Sequence, residues 1–256
     1  MHSSEAFLLI SAGVIAGALN AVAGGGSFVS FPALLFVRVP PVQANATNTV
    51  ALWPGLAASA VAYVRHLGIT SRLLIPLLAT SVLGGWLGAR LLLKTPQHTF
   101  QHLVPWLLLG GTLLFTFGNK LRAIAGKKHT DLRELSWRAI TVASTAELLV
   151  AIYGGYFGAG IGFITLAMLA AMGMHDIHAM GAVRTLLAVA INAAAVVTFI
   201  AAHAVLWTQC AEMIAGALAG GWWAAHYAQR ADPVKMRYLV IATGLTMSAY
   251  FFVKLR

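Results

Sequence analysis

Ala23-Gly24-Gly25-Gly26-Ser27-Phe28 and Ala159-Gly160-Ile161-Gly162-Phe163 interrupt two apolar stretches at a single ungapped offset of 136 residues. The same register places Thr49 on Thr185, Val61 on Val197, and Gly84-Gly85-Trp86 on Gly220-Gly221-Trp222. Alanine matches are cheap in so alanine-rich a chain, but a matched Gly-Gly-Trp and two matched glycines in one register are not. The chain therefore reads as a duplicated unit.

Composition says where that unit lives. Hydrophobic residues make up 59% of the 256, charged residues only 9%, and the mean hydropathy is +0.81. That leaves too little polar surface to cover a soluble globule. Spanning the hydrocarbon of a bilayer takes about 20 apolar residues. Runs approaching or exceeding that length fall at 5–22, 42–64, 73–93, 103–117, 139–157, 179–202, 210–228 and 238–253, with shorter runs at 28–37 and 163–174 after the glycine breaks. The expected fold is an all-α polytopic membrane protein of about eight membrane helices, built as two repeats. Residues 1–118 form the first membrane repeat, 119–136 a basic cytoplasmic linker, and 137–256 the second repeat. The apolar amino terminus lacks a basic leader and carries Glu5, which reads as a first membrane helix rather than a cleaved signal.

The formal charge of +10 does not point to nucleic acid, because the basic residues sit singly at helix ends. That is a topology signal. If the short runs merely extend the first and fifth helices, loop basic residues divide 10 to 6 between the two sides; if each glycine break turns the chain back into a hairpin, they divide 11 to 5. The hairpin arrangement obeys the positive-inside rule slightly better. It gives each repeat three full crossings, an odd number, so the repeats are inverted, as in many secondary transporters. It also puts both termini outside.

A Gly-Gly-Gly-Ser run cannot hold a stable helix, and backbone groups freed in lipid must face protein or a wet cavity. After the first break, Ser27 is positioned to cap a new helix. The N–H groups following Gly24, Gly25 and Gly26, and those at Gly160 and Gly162, form positive helix ends suited to an anion. Gly84, Gly88, Gly216 and Gly220, at four-residue spacing, read instead as sites of close helix packing. The helix after each break adds Asn45, Thr47, Asn48 and Thr49 in the first copy and Arg184 and Thr185 in the second. An intramembrane arginine is costly unless it is paired or wet. Arg184 is thus either a ligand for an oxyanion, a snorkelling side chain, or the partner of Asp176 or Glu147. Its planar fork suits sulfonate, sulfite or carboxylate. Glu147 is the candidate proton carrier, since an intramembrane carboxyl can cycle between neutral and charged forms; the alternative is a structural ion pair. His175 and His178 have no third ligand nearby, so no metal is expected, and the chain calls for no cofactor. The expected partners are a small anionic substrate and the lipid bilayer, while Gly- and Ala-rich helix faces permit a homodimer.

The stretch from Gly24 to Pro32, its weaker echo from Gly158 to Phe163, the chain length and the basic central linker resemble the sulfite exporter TauE/SafE family of membrane permeases. The second break is less glycine-rich than the first. The resemblance implies transport of sulfur-containing anions, including sulfite and organosulfonates, across the bacterial inner membrane, coupled to the proton gradient. Transport of another carboxylate or inorganic anion is the alternative reading. An intramembrane enzyme would require Ser27 and His203 to meet as nucleophile and base, and nothing in the sequence brings them together.

Overall fold

The computed structural model describes residues 3–22, 25–63, 71–125, 136–174, 176–227 and 233–254. Gly24, His175 and residues 126–135 of the expected linker lie outside the described residues. The described residues form ten α-helices: α1 (Ser3–Val22), α2 (Ser27–Phe36), α3 (Pro41–Tyr63), α4 (Ser71–Lys94), α5 (Gln97–Ala125), α6 (Trp137–Tyr156), α7 (Ile161–Ala171), α8 (Ile177–Ala201), α9 (Trp207–Tyr227) and α10 (Pro233–Lys254). Each expected apolar run has become a helix, and both glycine breaks separate a long helix from a short one. Helix α5 runs on to Ala125, so the first residues of the expected linker are helical. Helices α8, α9 and α10 begin 136 residues after α3, α4 and α5 respectively.

Among the described residues, five stretches are long and apolar enough to cross a membrane: Ser3–Asn20, Ser71–Lys94, Gln97–Gly118, Trp137–Tyr156 and His178–Ala201. Helix α3 is long enough but too polar to join them, because Asn45, Thr47 and Asn48 are turned into the protein and buried. Exposed Phe7, Ile75, Trp106, Leu149 and Val197 supply apolar surface suited to lipid.

The packing shows how the chain turns. Ile140 and Ala143, early in α6, share a buried cluster with Leu169 and Ala170 at the end of α7. The second break therefore folds α6 and α7 into a hairpin instead of extending one helix. Met180 and Val183 of α8 and Leu73 and Leu77 of α4 belong to the same cluster, so α4, α6 and α8 start at one end of the bundle. At the other end, the N–H of Leu206, just before α9, donates to Thr47 Oγ1 in α3 (3.1 Å), and further along Leu52 packs with Ala16 and Ala217. Helices α1, α3 and α9 thus run in one direction. Helix α10 is antiparallel to α5: Ser248 Oγ donates to the Pro105 carbonyl (2.8 Å), and Trp106 meets Phe252 with ring centroids 4.9 Å apart. Gly244, one turn earlier, lies on Thr112.

Two parallel pairs frame the bundle, α1 on α9 and α4 on α6. Each is closed by small residues. A Cβ on Gly220 would run into the carbonyl of Val14, and one on Gly216 into that of Ile10. A Cβ on Gly88 would run into the carbonyl of Ile152, and one on Gly84 would meet Ala151 Cβ at 2.5 Å. The expectation that these four glycines serve close packing matches this geometry. Overpacking such a contact costs roughly 1–3 kcal/mol and sometimes more. Gly88→Val and Gly220→Val should each lower the thermal midpoint in detergent and reduce the yield of monodisperse protein. Gly110→Ala should not, because a Cβ there meets nothing within 4 Å.

Candidate functional site

A cavity of about 450 Å³ lies between the two breaks. Its wall includes Asn20 of α1, Ser27 at the start of α2, Thr49, Trp53 and Ser59 of α3, Gly158 to Gly162 of the second break excepting Ala159, Arg184, Thr185 and Asn192 of α8, and Trp222 of α9. Both halves of the chain contribute.

The first break reaches this cavity differently from the expectation. Gly26, not Ser27, is the N-cap of α2, and no side chain caps it from within the helix. Its N–H instead donates to Asn20 Oδ1 (2.8 Å), reaching back across the turn to α1. The tip is pressed so closely onto α1 that a Cβ on Gly26 would meet the Ala16 carbonyl and the Asn20 side chain. The expected capping role of Ser27 is therefore corrected, because the preceding helix fills it. Two of the N–H groups that follow are also engaged, Phe28 with the Gly25 carbonyl (3.2 Å) and Val29 with that of Gly26 (3.0 Å). Gly25 packs against Val240, and neither Gly25 nor Gly26 lines the cavity. From the first break Ser27 lines it.

The second break brings more residues to the cavity wall, Gly158, Gly160 and Gly162 among them, while its N–H groups are engaged as in the first, Ile161 with the Gly158 carbonyl (3.4 Å) and Phe163 with that of Gly160 (3.1 Å). Gly160 is the N-cap of α7 at φ +81°, a left-handed conformation that glycine adopts without penalty, and its bare Cα leans on Gly111 of α5. Tyr153 Oη donates to the Ala159 carbonyl (2.7 Å), tying the break back to α6. Arg184 lies across Gly162: a Cβ there would stand 3.1 Å from Arg184 Nη1. The glycine thus leaves room for the guanidinium as well as breaking the helix.

Of the polar cluster on α3, Thr49 faces the cavity while the others hold the fold. Asn45 Nδ2 donates to the Tyr156 carbonyl (3.0 Å), and Thr47 accepts from Leu206. Asn48, 2% exposed, lies outside the cavity lining and bridges the hairpin tip to α3. Its Nδ2 donates to Ser27 Oγ (3.3 Å), and its Oδ1 accepts from Ser30 Oγ (2.5 Å). Glu147 is also outside the lining. It is fully buried between α6 and α4, with Oε1 accepting from Ser81 Oγ (2.6 Å), while Oε2 has no hydrogen-bond partner among the described residues. Asp176 Oδ1 accepts the His178 N–H (2.9 Å) and caps α8. His203 is exposed at the end of α8, away from Ser27 and the cavity. Among the described residues no group of three metal-ligating side chains occurs.

The sequence reading passed over Asn20, Ser59 and Asn192. Each is a lone polar residue in an apolar run, and Asn192 stands on the cavity face of α8 in steps of four from Arg184 through Ala188.

A bundle of membrane-length helices around a cavity whose mostly apolar wall holds an arginine, hydroxyls and amides suits a membrane transporter. The chain belongs to the sulfite exporter TauE/SafE family, whose model matches residues 9–251. A probable membrane transporter protein of Haemophilus influenzae is 26% identical over 243 residues, covering 94% of this chain and 92% of that protein. One of Xylella fastidiosa is 30% identical over 218 residues, covering 82% and 80%. The probable membrane transporter protein YfcA of Escherichia coli is 24% identical over 243 residues, covering 94% and 87%. No solved structure matches the chain. The chain is a multi-pass membrane transporter.

Removing Asn48 would strand the groups it bridges, at about 1–3 kcal/mol. Asn48→Ala should lower the thermal midpoint while leaving the apparent affinity for a transported anion within about threefold of the parent, since the side chain does not reach the cavity. Thermal unfolding and a flux titration on one preparation check both halves of this expectation.

Proposed function

We propose that the protein carries a small sulfur-containing oxyanion, sulfite or an organosulfonate, through the cavity between the two breaks. The observation that carries this reading is Arg184, a guanidinium seated against Gly162 in a pocket that also receives Ser27, Thr49 and Thr185 from both halves. A cation with fork geometry suits an oxyanion, and a pocket drawn from two halves can open to either side as they move. The family's description supports the sulfur chemistry.

The two halves act as inverted repeats in this proposal. Support comes from the common 136-residue spacing of the helix starts, from the antiparallel course of α5 and α10, and from the paired contacts of α1 with α9 and α6 with α4. Exchanging α1 with α6 and α4 with α9 turns one pair into the other. We assign Glu147 as the proton carrier, supported by a fully buried carboxyl with one oxygen unpartnered among the described residues. It stands one helix away from the cavity, at the α4–α6 contact.

The test is flux into proteoliposomes of sulfite, sulfonates and carboxylates, with and without an imposed pH gradient. Saturable sulfite or sulfonate flux is expected, with Arg184→Ala reducing it by roughly 10- to 100-fold, as loss of a charge-assisted hydrogen bond implies. Arg184→Lys should recover part of it. Full flux in folded Arg184→Ala would remove the residue from the site, and flux confined to carboxylates would overturn the sulfur assignment. For a permanently ionised sulfonate, Glu147→Gln should abolish the response to the gradient; an unchanged response would exclude Glu147 as the carrier.

A further inference from the structure

The hydroxyls and amides around the cavity divide into donors and acceptors, and the division follows from heavy-atom positions alone. Thr49 Oγ1 is 2.9 Å from the Asn45 carbonyl, Thr185 Oγ1 is 2.8 Å from the Gly181 carbonyl, and Ser59 Oγ is 2.9 Å from the Gly55 carbonyl. A carbonyl only accepts, so each hydroxyl spends its one proton on its own helix and has lone pairs left over. Asn192 does the same with an amide. The atom 2.8 Å from the Ala188 carbonyl must be Nδ2, which leaves Oδ1 as the amide's remaining acceptor. Asn20 is the reverse case, because the Gly26 N–H fixes its Oδ1 and leaves Nδ2 as a donor. The charge is equally one-sided. Among the described residues lining the cavity, Arg184 carries the single formal charge.

A bare dianion fits this wall poorly. Even with all of the Arg184 charge directed at it, a dianion would keep a second negative charge that no other described lining residue balances, in a low-dielectric setting. The lone pairs of Thr49, Thr185, Ser59 and Asn192 would then face those of the anion with no hydrogen between them. We propose that the cavity selects a singly charged oxyanion that also brings a hydrogen-bond donor: hydrogen sulfite rather than sulfite, or a sulfonate bearing a hydroxyl rather than an alkyl sulfonate. This inference rests on the anion-carrying reading above. The oxyanion end lies toward Arg184 and Asn20, and the donor end toward the acceptors on α3 and α8.

Two permanent monoanions of equal heavy-atom count separate the alternatives: 2-hydroxyethanesulfonate and 1-propanesulfonate, which differ by a hydroxyl in place of a methyl. Each is titrated as a competitor of sulfite flux in proteoliposomes at equal pH inside and out. The hydroxyl compound should compete at least about tenfold more strongly, since a site with acceptors to satisfy rejects an analogue lacking the donor. Asn192→Leu should narrow that ratio, with a monodisperse size-exclusion profile and an unchanged thermal midpoint reporting that the variant is folded; Thr185→Val provides the same comparison if it is not. Sulfite flux, followed across pH with no gradient, should track the hydrogen sulfite fraction. Equal competition by the two sulfonates, a preference for the alkyl compound, or flux that follows the dianion would overturn the inference and leave the transport reading standing. Absence of flux or competition for every anion would overturn both.

Discussion

Contact between helix backbones with no side chain between them is the constraint on which the rest of the structure depends. Where α1 lies on α9 and α4 on α6, the glycine Cα atoms sit directly on carbonyls of the neighbouring helix. In a bilayer, apolar surface gains little by leaving lipid for protein, so association depends on dispersion over closely matched surfaces. These two pairs hold the first and fourth helices of opposite halves together. The broken segments can then abandon regular helix because they are enclosed by protein. An isolated hairpin tip with loose N–H groups could not exist at that depth.

Inside that frame, the two breaks have become unlike in spite of their common register. The first is closed on itself: Asn20 takes the Gly26 N–H, and Asn48 spans Ser27 and Ser30. The second brings more of its residues to the cavity wall and carries the charge, through Arg184 lying over Gly162. At the 136-residue offset Asn48 stands opposite Arg184 in the sequence. The first half thus supplies a bridging amide and the second a cation, and the cavity is asymmetric in chemistry while drawing on both halves of the chain.

Much of the fold was legible because its signals are local. Apolar runs of bilayer length and glycine clusters that no helix tolerates each report on a few residues at a time. The turn at the second break was legible only faintly, because loop charges favour the hairpin over the straight path by a narrow margin; the shared burial of Ile140 and Leu169 shows the chain doubling back there. Helix phase was the other blind spot. Residues 45 to 49 of α3 are polar at almost every step, so rotation about the axis decides that Thr49 meets the cavity while Asn48 meets the hairpin. Asn20 could not be recognised as the capping group, since its bond crosses from one helix to the next. Asn192 was overlooked because an amide in an apolar helix attracts less notice than the arginine eight residues before it.

The indole of Trp53 donates to the carbonyl of Val189 at 3.3 Å, and these two positions stand 136 residues apart, the same offset as the sequence matches between the two halves. The bond ties α3 of the first half to α8 of the second beside the cavity that Trp53 and Ala188 line. In the inverted-repeat reading proposed above, equivalent positions meet only near the axis relating the halves, which makes the crossing of α3 and α8 the pivot of that proposal.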